Sequence, residues 1–199
     1  MSVRSLLRRL RREQGGFTLT EVITTLAILA TVIVGITQLF VAGMSAEVDM
    51  RERFDAQMEA RLAVNKLRRD VHCASALTQG GSTAVRPPAP NPNARTYYSR
   101  ATLTVPTDCR GGGGTITWCT ASLGTSRYGL FRNTGTSCGS SAQKVADYLT
   151  QFAIFSYTGP TTAEKGKVHV ELPVDAKPGD ADGAYTLEDA LVLRNTARL

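Results

Sequence analysis

Residues 15–46 read GGFTLTEVITTLAILATVIVGITQLFVAGMSA, and from Val22 to Ala46 twenty-five residues pass without a charge. A bilayer core takes about 20 apolar residues in helical form, so the run is long enough to span one. No other segment approaches that length. On its N-terminal side stand Arg4, Arg8, Arg9, Arg11 and Arg12 against Glu13 alone, a local charge of +4. Basic residues stay on the cytoplasmic side of a span, which puts the N-terminus inside and everything after Ala46 outside. The expected location is the cytoplasmic (inner) membrane, crossed once.

The whole chain has 199 residues and a net charge of +6, with a pI near 9.4. Taking the leader's +4 from that +6 leaves +2 for everything after residue 16. The basicity is therefore local, which argues against nucleic acid as a partner of the folded part. The length suits one compact domain with an appended segment.

A secretory signal places its apolar stretch before the cleavage site, so processing removes it. Here the small pair Gly15-Gly16 precedes the apolar stretch and follows the arginines. A cut after Gly16 discards the charged leader and keeps the hydrophobic helix. This order of basic leader, glycine, Phe17-Thr18-Leu19-Thr20-Glu21 and apolar span resembles the type IV prepilin leader. The resemblance covers roughly residues 8 to 45. It implies cleavage between Gly16 and Phe17 by a membrane-embedded prepilin peptidase, with N-methylation of Phe17. Two positions depart from the family pattern: Thr20 stands where an apolar residue is usual, and the mid-helix proline of many major pilins is missing.

Glu21 is the residue on which assembly would turn. A carboxylate at mid-bilayer costs about 2.5–3.5 kcal/mol, and less near an end, so it calls for a partner. After cleavage Phe17 presents a charged α-amine four residues away. Pairing within one helix, or between subunits, would neutralise both groups and set axial register. The simpler reading is a carboxylate that favours the helix N-terminus through its dipole.

Past the span the helix is expected to continue. Phe54, Met58 and Leu62 fall at i, i+4, i+8, and Val64, Leu67 and Val71 at i, i+3, i+7, both read as core. The resulting organisation is a leader over 1–16, a membrane or filament half of the helix over 17–46, and an amphipathic half over 47–78. A Pro/Gly-rich loop follows over 79–96, then an antiparallel β domain over 97–199. Strands are predicted at 97–105, 115–120, 127–132, 150–158, 167–172 and 187–194. The fold class is α+β, a long N-terminal helix packed on an antiparallel sheet, type IV pilin-like in layout.

ITWC, YGLFR, VADYLTQFAIFSY, KVHVEL and LVLRN, in that order over about residues 114 to 195, are similar to J-type minor pseudopilins and related minor pilins. That similarity implies a low-abundance subunit at or near a filament tip, in a pilus or a type II secretion pseudopilus.

Cys73, Cys109, Cys119 and Cys138 all lie beyond the span, and none forms a CxxC pair. An even count in an exported segment points to two disulfides. Sequence alone does not choose among the three pairings; Cys119 and Cys138 flank a hairpin strand, which leans toward that pair and leaves Cys73 with Cys109. His72 and His169 have no triad or ligand spacing, so an enzyme is not expected. Gly111–Gly114 lacks the Lys-Ser/Thr of a phosphate loop. No cofactor is expected; Asp180, Asp182 and Glu188 are weak calcium candidates in an acidic turn that does not fit an EF-hand. The expected partners are other pilin or pseudopilin subunits, the prepilin peptidase and the bilayer. A competing reading is a DNA-binding or adhesive tip module of a competence pilus.

Overall fold

The computed structural model describes residues 16–86, 94–109, 113–177 and 184–196. Helix α1 (Leu19–Cys73) is followed by strands β1 (Ala76–Arg86), β2 (Arg95–Val105), β3 (Gly114–Gly124), β4 (Arg127–Thr134), β5 (Gln143–Leu149), β6 (Phe155–Thr158), β7 (Lys167–Val174) and β8 (Tyr185–Val192). The chain divides into two units, Met1–Asp49 and Met50–Leu199. Residues of α1 before Met50 belong to the first unit and the remainder to the second.

In the second unit α1 buries Ala56, Ala60, Ala63, Val64, Leu67 and Val71. These recur at helical spacing and form one face. They share a core with Leu103, Trp118, Leu130, Leu149, Phe155, Val168 and Leu172 from the sheet. Every strand pairing is antiparallel. Pairing runs β2-β3-β4-β5-β7-β6, and β6 returns to β2 through Tyr98 and Phe155, so the hydrogen-bonded path closes on itself. β1 adds to the outside of β2, and β8 to β7. Along β7, Val168, Val170, Leu172 and Val174 are buried and alternate with partly exposed partners, as the strand period requires.

Two disulfides brace this unit. Cys73, the last residue of α1, is bonded to Cys109 after β2, and Cys119 of β3 to Cys138. Sequence position leaned to this pairing, and the structure contains it. The carbonyl of Cys73 also accepts a hydrogen bond from Asn195 Nδ2 at 2.8 Å, which satisfies one of the orphan acceptors at the helix end.

Four expectations are corrected. The helix stops at Cys73 instead of reaching residue 78. The span expected as a 79–96 loop contains the second half of β1 and the start of β2. Its Gly80-Gly81 pair makes a bulge: the register shifts between Gly80 and Thr83, and Gly81 has φ +82°. A Cβ at Gly81 would collide with the Ser99 side chain, so glycine serves the strand here and does not end it. Of the strand expected over 150–158 only Phe155–Thr158 is extended, as β6, and the strand before it, β5, was not expected. β5 ends at Leu149, just after Tyr148 with φ +64°, and β6 begins only at Phe155. Lastly, Phe54, Met58 and Leu62 are not core; they are 60%, 40% and 61% exposed. The face the helix buries is instead Ala56, Ala60, Ala63, Val64, Leu67 and Val71.

A largely buried polar contact ties helix to β3 and β4 inside this unit. Asp70 of α1 accepts from Trp118 Nε1 at 2.9 Å and from Arg132 Nε at 2.7 Å. Arg132 Nη2 reaches the second carboxylate oxygen at 3.3 Å. Both side chains of the ion pair are largely buried, at 14% and 22% exposure. Removing one partner of such a pair strands the other's charge. Asp70→Ala should therefore cost about 3 kcal/mol of stability. Urea unfolding of the detergent-solubilised protein, followed through Trp118 as its single tryptophan, measures this; a loss below about 0.5 kcal/mol, the range of an ordinary surface substitution, would refute the clamp.

Candidate functional site: the N-terminal helix

Thr18 opens α1. Its carbonyl accepts from Glu21 N at 3.0 Å and Val22 N at 3.2 Å, and its hydroxyl lies 3.4 Å from Glu21 N. The order Thr18-Leu19-Thr20-Glu21 is that of a capping box, with threonine at the cap and glutamate three residues on. Glu21 thus stands in the first helical turn, where unpaired N–H groups favour negative charge. The cap was legible in the sequence as Thr-x-x-Glu, but the prepilin resemblance drew attention to the glutamate alone.

The following run is prepared for an apolar medium. Thr24 and Thr25 donate to the Glu21 carbonyl at 3.0 and 2.9 Å, Thr31 to Ile28, Thr37 to Ile33 and Ser45 to Ala42. Each hydroxyl is spent on its own helix, so none needs water. Among the described residues the large side chains of this run stay exposed: Leu19 is 78% exposed and Phe40 68%. α1 is long and apolar enough to cross a membrane through this part. Phe17 is exposed, and nothing lies within 4 Å of a Cβ built on Gly16, so the Gly16–Phe17 bond is open on the described side.

Residues 11–37 match the family described as the prokaryotic N-terminal methylation motif. The chain carries that motif. The match takes in Gly16, Phe17 and Glu21 and supports a prepilin of type IV pilin-like kind. No curated protein and no solved structure matched the chain.

Elsewhere the second unit offers one sizeable groove, about 1300 Å³, lined by Lys66, Arg69 and His72 of α1, the Cys73–Cys109 bridge and Arg132. Its cations are partly engaged: Arg132 with Asp70, and Lys66 with Gln143 Oε1 at 3.1 Å. Burial lowers the pKa of His72, assisted by Arg194 and Arg68. His169 is likewise lowered by burial, then by Arg95 and Lys167. Of the calcium candidates, Asp180 and Asp182 lie outside the described residues. Glu188 is exposed on β8, opposite Glu171. Among the described residues no group of three or more His, Cys, Asp or Glu is placed to hold a metal ion.

Asp147 is the most perturbed carboxylate. Burial works against its charge, but Arg127 Nε at 2.8 Å, Lys144 Nζ at 2.9 Å and Tyr148 N at 2.7 Å more than compensate, and the pKa falls from 3.8 to about 2. Its own N–H donates to Glu59 of α1. A carboxyl whose pKa is depressed by folding contributes stability above its unfolded value and loses it as pH falls through the folded one. Asp147→Asn should therefore unfold at lower urea near neutral pH, with the gap to wild type closing as pH drops from 3.8 to about 2. A gap that stays constant over that window would mean the charge is not what Asp147 contributes.

Proposed function

We propose that this chain is a non-enzymatic structural subunit of a type IV pilus or type II secretion pseudopilus. It is made with a leader of residues 1–16, stored in the cytoplasmic membrane through residues 17–46, and assembled through α1. The observation that carries the reading is the methylation motif placed directly ahead of a helix half with no protein cover. Only lipid or other chains can cover those side chains. A filament built by transferring the helix from one to the other uses both.

In this mechanism the prepilin peptidase cuts between Gly16 and Phe17, and the amine of Phe17 is methylated. Thr18 holds Glu21 in the first turn. The carboxylate then meets the new α-amine of its own or a neighbouring subunit, away from water, where the attraction is strong. Small residues Thr24, Thr25, Ala27, Ala30, Thr31 and Gly35 let helices approach closely. The order of sheet segments from ITWC to LVLRN supports a minor subunit near the filament tip. No cofactor is part of this proposal.

Intact-mass and N-terminal sequencing of the membrane-bound protein should find a methylated Phe17 as first residue. Glu21→Gln should leave membrane insertion unchanged and reduce filament incorporation at least tenfold. A mature N-terminus beyond Glu21, or normal incorporation of Glu21→Gln, would sink the mechanism.

A further inference from the structure

The groove beside the last turns of α1 has a volume of about 1300 Å³. Small-molecule pockets run to about 300–1,000 Å³, so this one suits a longer occupant. One wall is α1 itself, where Lys66, Arg69 and His72 recur every three residues. Asp70 stands in the same wall, but its charge is spent on Arg132 and the Trp118 indole. Lys66 donates to the neutral amide oxygen of Gln143 at 3.1 Å, and among the described residues Arg69 has no side-chain partner. Two positive charges on this wall are therefore without a countercharge.

The rest of the groove is built differently. Gly113, Gly114 and Gly135 bring bare backbone to it, and a Cβ placed on Gly114 would meet nothing within 4 Å. Thr115, Thr134 and Thr136 add hydroxyls, while Val105, Ile116 and the Cys73–Cys109 bridge supply apolar surface. Bare backbone lets another chain approach closely, and an extended peptide uses hydroxyls and apolar pockets alike. We propose that the groove binds an extended acidic segment of a protein partner, with its carboxylates on Lys66 and Arg69 and its backbone against the glycines. Cations near a helix C-terminus also suit the dipole, but that effect alone gives no reason for a glycine-lined floor opposite them.

Charge selects a peptide over a nucleic acid. Asp108 also lines the groove, and α1 ends there at Cys73, where the negative end of its dipole opposes dense anionic charge. A phosphate backbone carries a charge at every nucleotide and meets both; a peptide places carboxylates only where the cations stand. This binding belongs to the second unit alone and holds whether or not the chain enters a filament.

Fluorescence anisotropy on the full chain in detergent tests it, with a labelled decapeptide of alternating Asp and Val as probe. The acidic peptide should bind, and more weakly as salt rises. A decapeptide of alternating Lys and Val, and a single-stranded DNA of ten nucleotides, should each bind about tenfold more weakly or worse. Arg69→Glu and Lys66→Glu should each weaken the acidic peptide by about tenfold or more, the worth of one charge-assisted hydrogen bond. Both should keep the native urea midpoint, since neither side chain has a charged partner among the described residues to lose. No binding by a chain with a native midpoint, equal binding of the lysine peptide, or an affinity unchanged in both variants would overturn the proposal. Tighter binding of the DNA would overturn it too, and make the groove a nucleic-acid surface.

Discussion

Helix α1 carries two kinds of surface, one uncharged and apolar and one amphipathic, and most of the structure follows from that. Its first half has no charge from Val22 to Ala46 and bonds the hydroxyls of Thr24, Thr25, Thr31, Thr37 and Ser45 to its own carbonyls. Its second half shares a core with the sheet and is edged with charge. A single helix can hold both properties because α-helical hydrogen bonds are internal and indifferent to the surroundings. What changes along it is only which side chains find cover.

In the folded unit that cover is organised around small helix residues and one buried ion pair. Ala60 and Ala63 share one core with Trp118 of β3. The carboxylate of Asp70 then binds both the indole of Trp118 and the guanidinium of Arg132, so β3 and β4 are held to the helix by one acceptor. The Cys73–Cys109 bridge and the Asn195 amide secure the last turn. Asp147 plays a related part further along, gathering Arg127 and Lys144 while its backbone reaches Glu59.

At the other end of the helix the requirement is different. A carboxylate near the end of an apolar run persists only with compensation, and the capping position gives it part of that through the helix N-terminus. In the proposed mechanism the remainder would come from the α-amine that cleavage before Phe17 exposes.

Much was legible from residue order. The uncharged run, the reversed position of leader and span, Glu21, the alternation of β7 and the α+β class all depend on local composition or on periods of 2 and 3.6, which the chain carries within a few neighbours. What waited for the tertiary structure depends on which surfaces meet. Gly80-Gly81 reads as a break until Ser99 is seen beside it. Phe54, Met58 and Leu62 read as core until alanines occupy the contact. The return of β6 to β2, and the meeting of Asp70 with residues 48 and 62 positions later in the chain, have no signature in spacing at all. Periodicity says that a face is apolar; only packing decides whether its own domain or another molecule will cover it.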